Sequence, residues 1–188
     1  MSYHCTVKQG DLLSEERATF IVNASNTQLI LGSGVSMAFS HHCGDELQKE
    51  MSAKLEKLGT LLKKGDVVAT SSGKAANFQY ALHAAVMDYN PDVRGKEMFP
   101  TLKDIENALK NIESHLQRYA KEKKSGDLKL VLPLMGCGVG GLSKLDVIKL
   151  YKKFFSREIP FECEVVVYGH SKEDFGLIEA VLKISFLD

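Results

Sequence analysis

The sequence predicts an α/β fold, a three-layer α/β/α arrangement with a mixed, mostly parallel central sheet. Three observations predict it. Strand-like and helix-like segments alternate through the second half of the chain. Several strand-like runs are apolar throughout, as strands covered on both faces are. Two glycine-rich turns each fall between such a run and a helix, where an open α/β sheet places its strand-to-helix connections. With 188 residues, 44% of them hydrophobic, the chain is expected to form one domain over residues 1–188.

Residues 3–9 alternate weakly and read as a strand, and residues 19–24 are a β-branched and apolar run too short for a helix. Residues 34–58 read as helical with a break near Cys43-Gly44, and Met37, Leu47, Met51, Leu55 and Leu58 are expected to face inward. Residues 67–70 and 79–86 are further strands. Residues 90–100 carry Pro91, Gly95 and Pro100 and read as a surface excursion. The clearest helix covers residues 101–124, where Leu102, Ile105, Leu109, Ile112, Leu116 and Tyr119 recur three and four apart behind a capping Thr101. A strand over 128–134, a helix from Ser143 to about 157, a strand over 164–168 and a helix from Ser171 through Ile184 complete the chain.

Composition excludes several classes of function. Twenty-four basic residues balance twenty-four acidic ones, whereas a protein that binds nucleic acid through many phosphates is strongly basic. Residues 101–157 do carry twelve Lys/Arg against six Asp/Glu, and most of these fall on the polar faces of two helices. No apolar run approaches the ~20 residues that cross a bilayer, and the opening Met-Ser-Tyr-His-Cys lacks the features of a secretory leader. Cys5, Cys43, Cys137 and Cys163 have no metal-ligand spacing and suit a reduced cytoplasmic protein. His41 and His42 are adjacent on a helix, about 100° apart, and cannot converge on one ion.

The chemistry is expected at the glycine turns. Gly32-Ser33-Gly34-Val35 follows the second strand, and Gly136-Cys137-Gly138-Val139-Gly140-Gly141 follows the strand over 128–134. Glycine lets a ligand approach peptide N–H groups closely, and successive N–H groups beside a helix N-terminus bind anions without lysine. Two such turns at one sheet edge would hold a diphosphate from both sides. The second turn also spells G-x-G-x-x-G, with Glu158, Glu162 and Glu164 as loosely placed ribose acids. Pro133 and the late position of the motif fit a dinucleotide fold poorly. Asn23 and Asn26 could bind sugar hydroxyls and position a water, and Asp11 could accept from an exocyclic amine.

These segments resemble the macro domain, a family of ADP-ribose binders, over nearly the whole chain. Gly10-Asp11-Leu12 is similar to the family's Gly-Asp-Ile, whose Asp contacts the adenine amine. Val22-Asn23-Ala24-Ser25-Asn26 resembles its Val-Asn-Ala-Ala-Asn, Gly32 to Val35 its first glycine loop, and Ala81 to Val86 the strand written Ile-His-x-Val. Leu132 to Gly141 resembles its second phosphate loop, and Tyr168 an aromatic that lies against adenine. The resemblance implies a ligand set of Asp11, Leu12, Asn23, Asn26, Gly32, Ser33, Gly34, Val35, Gly136, Cys137, Gly138, Val139, Gly140 and Tyr168, with no metal and no cofactor. It implies ADP-ribose, or ADP-ribosylated protein or nucleic acid, as partner.

Two departures bear on catalysis. One hydrolase branch has an aspartate where Ser36 stands; another uses a lysine and an aspartate where Ala85 and Gly140 stand. Hydrolysis at the distal ribose (of a 1″-phosphate, an O-acetyl ester or a mono-ADP-ribosyl link) would then rest on Asn26, Ser36 and loop N–H groups. A non-catalytic reader module is the alternative. Asp88 as a base and a Cys137–His83 nucleophile pair are weaker candidates.

Overall fold

The computed structural model describes residues 1–32, 34–123 and 127–183. Ser33, Lys124 and Ile184 therefore lie outside the described residues. Strands β1 (Tyr3–Gln9), β2 (Ala18–Asn26), β3 (Val67–Ser71), β4 (Phe78–Met87), β5 (Lys129–Leu132) and β6 (Cys163–Gly169) form one sheet in the order β1-β6-β5-β2-β4-β3. Every neighbouring pair is parallel except β3 with β4. Helices α3 (Leu102–Lys123), α4 (Lys144–Phe155) and α5 (Lys172–Lys183) cover one face, and α1 (Gly34–Cys43) and α2 (Asp45–Leu58) cover the other. Among the described residues no helix is long and apolar enough to cross a membrane.

The two-sided cover explains the continuous apolar runs. On β2, Phe20 and Val22 enter the core under α3–α5, while Ile21 enters the core under α1 and α2. Both faces are buried, so alternation disappears. The α3 stripe buries Ile105, Leu109, Ile112 and Leu116. At its start Thr101 Oγ1 accepts from Asp104 N at 3.2 Å and Asp104 Oδ2 accepts from Thr101 N at 2.8 Å, a reciprocal cap. Ser143 and Ser171 cap α4 and α5, their hydroxyls accepting from Asp146 N and Asp174 N.

Three sequence expectations need correction. Met37 and Leu58 are 47% and 51% exposed, and Phe39 and Cys43 fill the inward positions of α1 instead. For Met37 the reason is Gly44, whose φ of 79° restarts the helix and breaks the register carried through it, while Leu58 is the last residue of α2. β2 continues to Asn26 because its pairing with β4 continues that far. The strand expected over 128–134 ends at Leu132, since Pro133 has no N–H to donate.

Glu15 joins four segments at the face of the sheet beside β1. Its carboxylate is 3% exposed and accepts from Lys8 Nζ at 2.8 and 2.9 Å, Lys129 Nζ at 2.5 Å and the Tyr168 hydroxyl at 2.6 Å. Burial by itself would raise the carboxyl, but these donors outweigh it and hold Glu15 at about 2, below its ordinary 4.5. A folded-state value below the unfolded one favours the fold above pH 4.5, and that contribution is lost as pH falls toward 2. Glu15→Gln is expected to destabilise the protein by about 3 kcal/mol at pH 7 and to flatten the acid limb between pH 4.5 and 2, measured by urea unfolding at stepped pH.

Candidate functional site

β2 and β5 pair only through Phe20↔Leu130 and Ile21↔Val131. Beyond that point the strands part, and a crevice of about 380 Å³ opens at their carboxyl ends. Asn26, Gly32, Gly34, Val35 and Ser36 line one wall, and Pro133, Leu134, Gly136, Gly138, Val139 and Gly140 line the other. The two glycine turns, which start 104 positions apart in sequence, thus face each other across one opening. The Tyr151 hydroxyl of α4 fixes the second wall, donating to Pro133 O at 2.7 Å and accepting from Met135 N at 3.0 Å.

The opening is lined by N–H groups and lacks charge. α1 begins at Gly34, so its first amides have no partner within the helix. Among the described residues, no acceptor meets the amides of Gly138, Val139 or Gly140, although Gly141 N and Leu142 N turn back to Gly138 O and Gly136 O. No acidic or basic side chain lines the crevice among the described residues. Its rim exposes Ile30 (52%), Tyr89 (40%) and Val139 (67%), large apolar groups gathered at one mouth.

Asn26 is 8% exposed and reaches the crevice, with much of its capacity committed to its own loop. Its Oδ1 accepts from Gln28 N and Ile30 N at 3.2 Å each, and its Nδ2 donates to Ile30 O at 3.0 Å. Ser36 donates toward Asn23 Oδ1 at 3.0 Å or Ala24 O at 3.2 Å. Asn23 differs from its expected role, being wholly buried and outside the crevice. The inward face of β2 points it at β4, where its Nδ2 donates to His83 Nδ1 at 3.0 Å. His83 must then carry its proton on Nε2, from which it donates to Thr70 Oγ1 at 2.8 Å; Thr70 donates on to Ser71 O at 2.9 Å. Ser36, Asn23, His83 and Thr70 form a one-directional chain from α1 to β3. Its members polarise one another.

Five other candidates sit elsewhere. Cys137 N bonds to Leu134 O, its thiol reaches only Met135 O at 3.8 Å, and burial pushes that thiol up to about 11. Neither ligand contact nor the nucleophile pair with buried His83 fits this placement. Tyr168 is 7% exposed and serves Glu15. Asp11 and Leu12 follow β1, and Gly10 N donates to Gly169 O at 3.0 Å, so they stand beyond β6 on the same edge of the sheet. Leu12 is buried there, while Asp11 Oδ1 accepts from Leu13 N at 2.9 Å and caps a 3₁₀ turn. Asp88 accepts from Thr27 Oγ1 and Asn90 N and is outside the crevice.

Sequence reasoning missed Ser25, Ile30, Tyr89 and Pro133. No local sequence signal marks the first; it emerges only from the register of β2 against β4, which places residues 25 and 26 beside residues 85 and 87.

Burial pushes His83 down to about 3 from 6.5. The unfolded chain takes up the proton first, so stability is full above pH 6.5 and is lost as pH falls toward 3. His83 is expected to show Nε2-protonated, non-titrating imidazole signals from pH 5 to 8. His83→Gln should remove about 2 kcal/mol of the stability change between pH 6.5 and 5; a titrating His83 in the folded protein would contradict the chain.

Comparison with known proteins agrees with this geometry. A Macro domain family model matches residues 22–151. A protein of Aeropyrum pernix is 32% identical over 143 residues, covering 76% of this chain and 66% of its own length. A Mycobacterium tuberculosis relative is 29% identical, the match covering 79% of this chain and 36% of its length. The chain thus spans less than two thirds of these relatives. The Oceanobacillus iheyensis macrodomain with ADP superposes at a TM-score of 0.72 with 23% identity, over 96% of this chain and 90% of that one. The Trypanosoma brucei macrodomain in complex with ADP-ribose superposes at 0.69 with 18% identity, over 94% and 68%. With the family model matched from the second half of β2 through both glycine turns and most of α4, the chain belongs to the Macro domain family.

Proposed function

We propose that the crevice binds ADP-ribose, free or as the terminal ADP-ribosyl group of a modified protein or nucleic acid, with the diphosphate on the amides of the two glycine turns. The observation that carries this reading concerns Gly32 and Gly138. Both line the crevice, both have ordinary φ, and a Cβ built on either meets nothing within 4 Å. Backbone conformation and packing therefore leave room for a side chain at each. A ligand pressed against the peptide supplies the missing reason. By contrast, a Cβ on Gly140 would lie 2.5 Å from Gly136 O, so packing already explains that glycine.

Charge and shape support the same ligand. An uncharged opening with free N–H groups and a helix N-terminus suits an anion, and the apolar rim suits a sugar or base edge above it. From β2 to the Asp11 segment beyond β6 is three strand spacings, roughly 14 Å. An extended ligand with its diphosphate over β2 and β5 would carry its base toward Asp11 and Leu12. The neighbours described with ADP and with ADP-ribose are consistent with this direction of reading.

For turnover, the crevice offers amides and two partly committed side chains, Asn26 and Ser36, to hold a water, with no carboxylate, imidazole, thiol, lysine or arginine lining it among the described residues. Binding is accordingly the reading we put forward, and hydrolysis at the distal ribose is the step to be assayed. Titration calorimetry should show ADP-ribose preferred over NAD, AMP and ATP by about tenfold or more, roughly 1.4 kcal/mol or above. Gly32→Ala and Gly138→Ala should each weaken ADP-ribose about tenfold while raising stability by roughly 0.5 kcal/mol. Unchanged affinity in both variants, or preference for NAD, would remove the reading. Release of phosphate from the 1″-phosphate, or of label from a modified protein, that is lost in Asn26→Ala would add hydrolysis to binding.

A further inference from the structure

The crevice holds a group that the fold leaves without a role. Ser25 is 3% exposed, and among the described residues its Oγ is the one buried side-chain oxygen or nitrogen with no hydrogen-bond partner. It lines the crevice. It stands at an irregularity of the sheet, where Ser25 pairs with Ala85 but Asn26 pairs with Met87. Such bulges re-aim side chains beside functional sites. The crevice it lines also includes Ala24, Val35, Val86 and Met87, and the hydroxyl bonds to none of the polar groups there. An alanine would fill the position without leaving a polar atom unsatisfied.

Location indicates which part of a ligand it meets. The diphosphate amides flank β2 and β5, and Asp11 lies away toward β1. Ser25 sits on β2, in register with Ala85 of β4 and three strands away from the Asp11 segment that follows β1. We propose that the Ser25 hydroxyl is a specificity-determining group that hydrogen-bonds the sugar beyond the diphosphate, so that the crevice distinguishes ADP-ribose from ADP. This rests on the ADP-ribose reading above. A hydroxyl offers one donor and two acceptor positions, which matches a ribose hydroxyl in either direction.

Calorimetry of the wild-type protein, Ser25→Ala and Ser25→Cys with ADP-ribose and with ADP tests it. Expected for Ser25→Ala are an affinity for ADP-ribose lower by about five- to tenfold, an affinity for ADP within twofold of wild type, and a melting temperature no lower than wild type. Ser25→Cys fills the space with a weaker hydrogen-bonding group and should lose ADP-ribose affinity in the same way. Equal losses for ADP and ADP-ribose, full affinity in Ser25→Cys, or no change in either variant would overturn the assignment while leaving ADP-ribose binding intact. Failure of the wild-type protein to bind ADP-ribose would overturn both.

Discussion

The site depends on the short ladder between β2 and β5. Had β5 continued beside β2 to its end, backbone hydrogen bonds would close the space that the ligand needs. Pro133 prevents this, because a residue without N–H cannot extend the ladder. The chain turns aside there, and Tyr151 satisfies the carbonyl of Pro133 and the amide of Met135 that the sheet no longer pairs. A buried polar side chain from α4 thus stands in for the missing strand and holds the second glycine turn opposite the first. Strand order does the rest. With β5 next to β2 and both parallel, turns separated by most of the chain leave the same edge in the same direction.

Much of this was legible in the sequence, because the relevant signals are local. Apolar runs, the α3 stripe and the capping residues Thr101, Ser143 and Ser171 each depend on neighbours within a few positions, and the elements they predict are present. The two glycine turns were legible for the same reason. What could not be read depends on contacts distant in sequence. Asn23 looked like a ligand group at a strand end, yet its partner His83 lies 60 residues away on β4 and turns it inward. Tyr168 likewise has a partner no local pattern shows, since Glu15, far back in the chain, takes its hydroxyl. Met37 failed because a helical period was carried across Gly44, whose backbone resets it.

The groups around the crevice depart from what stability alone would select. A soluble fold gains from burying Ile30 and Val139, from pairing every buried hydroxyl, and from replacing glycine by alanine wherever φ and space allow. Each of these gains is forgone here, and the exceptions gather at one opening: exposed apolar residues at the mouth, an unpartnered Ser25 in the lining, and unforced glycines at 32 and 138. The Glu15 cluster shows the contrast. It is more highly charged, yet each of its donors meets the one carboxylate, and no buried side-chain polar atom in it is without a partner among the described residues.

That contrast separates a polar cluster that holds the fold together from one that waits for a ligand. In the first, hydrogen bonds close within the protein, and a conservative replacement removes stability. In the second they remain open, and a replacement that completes the protein's own packing should stabilise the fold while removing affinity. The same logic bears on Asn26, which belongs to both kinds. Three of its hydrogen bonds hold residues 28 to 30 in place, and its remaining amide hydrogen is what it can offer across the opening. Asn26 therefore couples the shape of the rim to the ligand beneath it.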